Sequence, residues 1–162
     1  SLDLPLRAFP QTHTAAAMKK FSELNEQEIL ALAITLEEED ERIYADFAAA
    51  LRDDFPATEA VLKGMGAEET VHRQRLTELF RKKFGEHIPL LRRQDVKGFV
   101  QRRPLWLVRP LGLDAVRRFT AGMELETRQF YEKAAARTAD PEIRRLLDDL
   151  AQAERLLGTE HR

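Results

Sequence analysis

Apolar residues recur at alternating steps of three and four through four long segments of the chain. This period places the apolar side chains on one face of an α-helix, and no part of the chain alternates apolar and polar residues as a half-buried β-strand does. The four segments are residues 25–53, 56–84, 114–138 and 140–157. Residues 85–113 contain three prolines and three glycines and leave room for one short helix at about 94–101. The sequence therefore predicts an all-α fold, a four-helix bundle in which a long crossover joins two helix pairs.

Capping residues mark where the predicted helices begin and end. Asn25 precedes the first helix, and Glu28 follows it by three residues, which is the pattern of a capping box. Asp114 and Asp140 are the predicted N-caps of the third and fourth helices. Gly158 is the predicted end of the fourth helix, because glycine commonly follows the last helical turn.

The start of the chain differs in character from the bundle. Residues 1–22 are predicted to form a flexible arm or a leader, and residues 23–162 the bundle domain. The start lacks the basic-then-apolar order of a signal peptide. No segment approaches the roughly 18–20 consecutive apolar residues that a membrane-spanning helix needs.

Charge and cysteine content narrow the classes of function. The net charge is −2, which gives no reason to expect a nucleic acid as partner. The chain has no cysteine, which excludes disulfides, thiolate zinc sites and iron–sulfur clusters held by its own side chains. Such a composition fits a reducing compartment.

Each predicted helix interrupts its apolar stripe with one glutamate near its middle. These residues are Glu37, Glu69, Glu124 and Glu154. Burying one isolated ionised carboxylate costs of the order of tens of kcal/mol in the idealised limit, so four of them need cations. His72 lies three residues after Glu69 and shares its helical face. Carboxylates with one imidazole suit iron, manganese or zinc, although the same glutamates would pair with arginines in a metal-free interaction bundle. Glu38 and Glu39 are rotated off the stripe and are predicted to face solvent.

A second spacing repeats along the chain. Glu-x6-Tyr occurs at Glu37 and Tyr44 and again at Glu124 and Tyr131, which indicates an internal repeat of one helix pair. The two tyrosines either pack in the core with a bonded hydroxyl or lie beside the carboxylates as donors or redox-active neighbours.

These spacings carry a family resemblance. Glutamates from two helices with Glu-x-x-His pairs from the other two form the dinuclear carboxylate site of ferritin-like bundles. Together with the repeated Glu-x6-Tyr, the pattern resembles the rubrerythrin branch of the ferritin-like superfamily. The stretches LNEQEILALAITLEEEDERIYADFA and RRPLWLVRPLGLDAVR are most similar to the N-terminal ferritin-like domain of membrane-bound ferritins, the erythrin–vacuolar-iron-transporter fusions. The resemblance covers residues 18 to about 157.

The resemblance implies a di-iron protein that binds two iron ions and oxidises Fe(II) with dioxygen or hydrogen peroxide; manganese or zinc are alternative ions in the isolated protein. The implied catalytic residues are Glu37, Glu69, Glu124, Glu154, Tyr44 and Tyr131. The implied metal ligands are Glu37, Glu69, His72, Glu124 and Glu154, with Asp40 and His161 as further candidates. The family pattern has a histidine where this chain has Leu157, so His161 is a replacement only if the fourth helix persists.

Partners and location also follow from the resemblance. It implies a cytoplasmic domain at the inner face of the membrane, next to a transporter-like membrane domain that this sequence lacks. A homodimer is expected. A crossover of this length either spans its own bundle or reaches a second chain, which would allow helix pairs to be exchanged between the two. The basic crossover around Trp106 is predicted either to lie at a membrane surface or to pack on its own bundle or a partner. Rival functions are a rubrerythrin-type peroxidase with an external electron donor and a non-catalytic domain that senses or delivers iron.

Overall fold

Four long helices dominate the computed structural model of the protein, which describes residues 18–99 and 101–160, the last six as helix backbone only. The helices are α1 (Glu26–Leu51), α2 (Pro56–Phe84), α3 (Leu113–Arg137) and α4 (Pro141–Glu160). Helices α1 and α2 form one tightly packed pair and α3 and α4 the other. Within the described ranges the only β-type contact is an isolated bridge between Lys19 and Val96. The predicted all-α bundle of two helix pairs and a crossover is confirmed.

Two of the predicted helix starts have the expected capping geometry. Asn25 Oδ1 accepts a hydrogen bond of 2.8 Å from the Glu28 N–H, and the Asn25 N–H donates one of 3.1 Å to Glu28 Oε1. Asp140 Oδ1 accepts hydrogen bonds from the N–H groups of Glu142 and Ile143 at 2.9 and 3.1 Å. Each cap satisfies backbone donors that the first helical turn leaves without a partner.

Two predicted helix ends are wrong. Helix α3 begins at Leu113 behind Gly112, whose φ of 99° suits glycine, so Asp114 lies in the first turn instead of capping the helix. At this position its carboxylate still interacts favourably with the positive end of the helix dipole. Helix α4 continues through Gly158 to Glu160, because a single helical glycine costs only about 1 kcal/mol relative to alanine.

The crossover has little regular structure. The short helix predicted at 94–101 is wrong. The described residues there form a 3₁₀ turn at Arg93–Asp95, a bridge at Val96 and a turn at Lys97 and Gly98, and a helical turn comes later, at Leu105–Val108. Trp106 is 64% exposed, so it does not pack on its own bundle; contact with a membrane or a partner stays a prediction. None of the helices among the described residues is long and apolar enough to cross a membrane.

The segment before α1 is bound to the crossover. The Lys19 N–H donates to the Asp95 carbonyl at 2.9 Å, and the Lys97 N–H donates to the Lys19 carbonyl at 2.8 Å. Phe21 is buried, and its ring meets that of Phe130 edge-on with 5.9 Å between centroids. The packed structure therefore starts before residue 23. The rest of the predicted arm, residues 1–17, lies outside the described residues.

Two apolar clusters occupy the two ends of the bundle, with buried polar side chains between them. On α1, Leu36 belongs to one cluster and Ile43 to the other, while the buried Glu37 and Asp40 lie between. Along α2 and α3 the buried side chains likewise pass from apolar to polar and then to apolar again. Along α4 they pass from apolar to polar. The mid-stripe glutamates therefore form a polar layer across the bundle.

Candidate metal centre

Four of the predicted ligands meet in the polar layer. They are Glu37 from α1, Glu69 and His72 from α2, and Glu154 from α4. Each offers one ligand atom, these atoms all lie within 4.8 Å of one another, and no residue of the four is more than 3% exposed. The Glu-x-x-His spacing delivers two of them because residues three apart share a helical face.

The imidazole of His72 lies close to all three carboxylates. His72 Nδ1 is 3.6 Å from Glu154 Oε1, 3.8 Å from Glu37 Oε2 and 4.0 Å from Glu69 Oε2. All of these distances are too long for a hydrogen bond.

Several of these buried atoms have no hydrogen-bond partner in the described part of the chain. They are Glu37 Oε2, both carboxylate oxygens of Glu69, His72 Nδ1 and Glu154 Oε1. Unsatisfied buried polar atoms are rare because each carries a desolvation penalty. A divalent cation would satisfy all of them at once. Three carboxylates with one imidazole suit iron, manganese or zinc, so the residues present fit the metal that the sequence predicts.

Burial, nearby negative charges or both raise the pKa values of Glu69, Glu154 and His72. Burial raises the pKa of Glu69 well above its usual value, and the negative charge of Glu37 adds to the effect. Burial also raises the pKa of Glu154, although His72 opposes this. For His72, burial disfavours the charged form, but the carboxylates of Glu154 and Glu37 outweigh it and raise the pKa to about 9. Without a cation, protons partly neutralise the site.

Glu124 lies in the same layer but outside this group of four. It is buried on α3, and its charge is among those that raise the pKa of Tyr44. Its role as a ligand stays a prediction. Leu157 lies on α4, whose backbone helix continues beyond it, and the second candidate, His161, lies outside the described residues.

The two tyrosines lie on different helices of the repeat, and one of them bonds across to the other helix. Tyr131 on α3 is fully buried and donates its hydroxyl hydrogen bond to Glu37 Oε1 on α1. Tyr44 on α1 is buried near Glu124 on α3. Burial first, and the surrounding carboxylates next, raise the pKa of both phenols well above the usual value. Both therefore stay protonated, and Tyr131 fixes the orientation of Glu37 as a hydrogen-bond donor.

Asp40 is buried beside the group of four. Its Oδ2 accepts a hydrogen bond of 3.0 Å from Thr127 Oγ1, and its Oδ1 accepts one of 3.0 Å from Arg102 Nη1. Burial raises the pKa of Asp40 to about 7, partly offset by the Arg102 charge. Both carboxylate oxygens thus have partners, unlike those of Glu69.

Sequence reasoning missed the two crossover arginines that cover this side of the bundle. Arg102 pairs with Glu39 and Asp40 on α1 and with Glu126 on α3, and Arg93 also pairs with Glu39 and Glu126. Glu39 was predicted to face solvent, but it is held between these guanidinium groups. The opposite charges of the basic crossover and the acidic run 37–41 could have indicated that these two segments pair.

We expect Arg102→Gln to lower the free energy of unfolding of the metal-free protein by about 2 kcal/mol at neutral pH, because Asp40 loses a charged hydrogen-bond donor. Urea unfolding measures this. Arg103→Gln is the matched control: Arg103 is exposed, and its replacement should change stability by less than about 0.5 kcal/mol. Equal effects of the two replacements would contradict the assignment of Arg102 to Asp40.

Comparisons with known proteins agree with this geometry. The sequence model of the rubrerythrin family matches residues 28–156. A hypothetical protein from Pyrococcus furiosus has 22% identity and a TM-score of 0.68, over 87% of this chain and 90% of its own. An uncharacterized conserved protein from Magnetospirillum magnetotacticum has 24% identity and a TM-score of 0.68, over 85% and 91%. These two likenesses concern the fold alone. No curated protein matches the chain significantly.

The family match and the buried carboxylate–histidine group lead to one assignment. The matched segment spans most of the four helices and includes Glu37, Glu69, His72 and Glu154. The chain belongs to the rubrerythrin family of the ferritin-like superfamily.

Proposed function

We propose that the protein binds two Fe(II) ions per chain in the polar layer and oxidises them with hydrogen peroxide or dioxygen. The observation that carries this proposal is the set of buried oxygen and nitrogen atoms that lack hydrogen-bond partners at Glu37, Glu69, His72 and Glu154. No packing role requires atoms of this kind to converge in a buried layer. A cation-binding role does.

The ligands divide unequally between two ions. Glu37, Glu69, His72 and Glu154 would hold the first ion. Glu124, with shared use of Glu69 and Glu154, would hold the second, and Asp40 and His161 are further candidates for it. The second ion has no imidazole among the described residues, so we propose that it binds more weakly.

In the proposed reaction the two bound Fe(II) ions supply both electrons that reduce the peroxide. Two Fe(II) ions each give up one electron to hydrogen peroxide, and with two protons the products are two Fe(III) ions and two water molecules. An anionic carboxylate shell favours Fe(III) over Fe(II). The chain contributes buried carboxyls that hold protons near the site, and Tyr131 keeps Glu37 oriented.

An anaerobic Fe(II) titration of the metal-free protein, followed by addition of oxidant and absorbance spectroscopy, tests the proposal. Two Fe(II) bound per chain and rapidly oxidised would support it. Binding without consumption of oxidant would instead indicate a protein that senses or delivers iron. Absence of binding would overturn the proposal and leave a metal-free bundle.

The family match favours a second candidate, a rubrerythrin-type peroxidase. A chain without cysteine holds no thiolate-ligated iron of its own, so its electrons would come from an external donor. With excess reductant, continued consumption of peroxide over many turnovers identifies this activity. A reaction that stops after one oxidation of the bound iron identifies the first.

Leu157→His is expected to strengthen binding of the second Fe(II) by roughly 10-fold or more while leaving the first unchanged. It places an imidazole three residues after Glu154 on the continuous helix α4. Anaerobic calorimetry measures both affinities. Leu156→His, one residue earlier and rotated by about 100°, is the control. The same gain in both variants would show that the imidazole acts elsewhere.

A further inference from the structure

A pocket of about 480 Å³ opens between the crossover and the outer face of α3. We call it the crossover pocket. Its walls are Phe21, crossover residues 97–99 and 101–103, and one face of α3 between residues 118 and 133. Its volume lies within the range of small-molecule sites. None of the four grouped metal-site residues lines it.

Unneutralised positive charge surrounds this pocket. Four of its cationic side chains have no carboxylate within ion-pair distance in the described ranges. They are Lys97, Arg103, Arg118 and Lys133. A fifth, Arg102, is neutralised by its ion pairs with Glu39, Asp40 and Glu126. In a chain whose net charge is −2, this local excess attracts an anion.

The inner wall of the pocket is aromatic. The rings of Phe21 and Phe99 both pack on Phe130, with centroids 5.9 and 6.1 Å away, and Phe119 and Met123 continue this wall along α3. Lys133 Nζ lies 4.8 Å from the centroid of the Phe21 ring, so a cation stands at the edge of the apolar wall. Apolar rings beside unpaired cations suit a molecule with an apolar body and an anionic head.

Gly122 lies at the middle of the α3 wall. It is one turn from Arg118 and one turn from Glu126, so a side chain at this position would project into the pocket. No atom lies within 4 Å of a Cβ built there. Glycine is unfavourable inside a helix, and packing does not require it here. Its absence of a side chain keeps the pocket open.

We propose that the crossover pocket binds a small elongated amphiphilic carboxylate, with its head beside Arg103 and Arg118 and its apolar body along the phenylalanine rings that lead towards Lys133. This site is separate from the metal centre and does not depend on the iron chemistry.

The probes are anilinonaphthalene sulfonate, a fluorescent amphiphilic anion, and decanoate as its competitor, used with the full chain. We expect one saturable site from which decanoate displaces the dye, whereas decanol at equal concentration does not. Equal displacement by decanol would show that charge plays no part and would overturn the proposal.

Gly122→Leu should fill the pocket and weaken binding of dye and decanoate by at least 10-fold. Leucine has the higher helix propensity, so the fold is retained, which circular dichroism checks. Ala121→Leu is the matched control: it adds the same side chain to an exposed neighbour that does not line the pocket, and it should leave binding unchanged. Unchanged binding in Gly122→Leu would place the dye elsewhere and overturn the proposal.

A charge variant tests the head-group contacts independently. Arg103→Gln combined with Arg118→Gln should weaken decanoate binding by at least 10-fold and remove most of the salt dependence of that binding. Arg145→Gln, an exposed arginine on α4, should not. Binding to anionic phospholipid vesicles without any binding of free decanoate would assign these charges to a membrane surface and would likewise overturn the pocket proposal.

Discussion

Replacement of Glu69 by Gln is expected to lower Fe(II) affinity and the rate of Fe(II) oxidation by at least about 100-fold, the upper end of losses seen for residues that merely support a ligand. Both oxygens of Glu69 are buried without a hydrogen-bond partner, whereas Glu37, His72 and Glu154 each have only one such atom. Anaerobic titration and stopped-flow absorbance after addition of peroxide measure the two quantities.

The fold should survive this change. Burial disfavours the ionised form of Glu69, so the neutral amide should leave the metal-free melting temperature unchanged or higher. Glu68→Gln is the matched control, because Glu68 is the exposed neighbour one residue earlier. Full activity in Glu69→Gln, or equal losses in both variants, would remove Glu69 from the site.

The second large effect is an opposite dependence of stability on pH in the metal-free and metal-loaded protein. In the metal-free protein the folded state holds extra protons, because the pKa of Asp40 is raised to about 7 and those of Glu69 and Glu154 are also raised. Stability falls with rising pH wherever the folded state binds more protons than the unfolded state. The protonated His72 stabilises the folded state. This contribution to the free energy of unfolding is complete below pH 6.5 and is lost as the pH rises through about 9.

The melting temperature of the metal-free protein should therefore fall by roughly 5–15 °C between pH 5 and 9, which corresponds to a few kcal/mol. Bound metal requires deprotonated ligands, so the metal-loaded protein should gain stability over the lower part of this range. At a free metal concentration of 100 times Kd the gain is about 2.7 kcal/mol. Differential scanning calorimetry with and without Mn(II), a redox-stable probe, measures both trends.

Two variants separate the site from the rest of the protein. Asp40→Asn removes one of the raised pKa values and should flatten the metal-free curve, whereas the exposed Asp148→Asn should not. Parallel curves with and without metal would contradict the coupling between protons and cation at this site.

Local physical chemistry made much of this architecture predictable. The capping box at Asn25 and the cap at Asp140 depend on residues within one helical turn, so the sequence contains the whole interaction. The mid-stripe glutamates were recognisable because a charged residue on an apolar stripe requires a partner. The sequence placed Glu69 and His72 on one face, and the structure places Glu37 and Glu154 beside them.

Contacts between distant segments could not be derived in the same way. Arg102 reaches Asp40 across 62 positions of the chain, and the period of the helices contains no information about where an irregular crossover passes. The same limit applies to Glu124. Its face was predictable, but its distance from the other carboxylates depends on how the two helix pairs sit against each other.

The division of the core into two apolar clusters has a consequence for sequence change. One cluster contains Tyr131 and the other Tyr44, and the ligands lie between them. Substitutions at distant sites without shared partners act almost independently. Either end of the bundle can therefore exchange one apolar side chain for another without altering the other end.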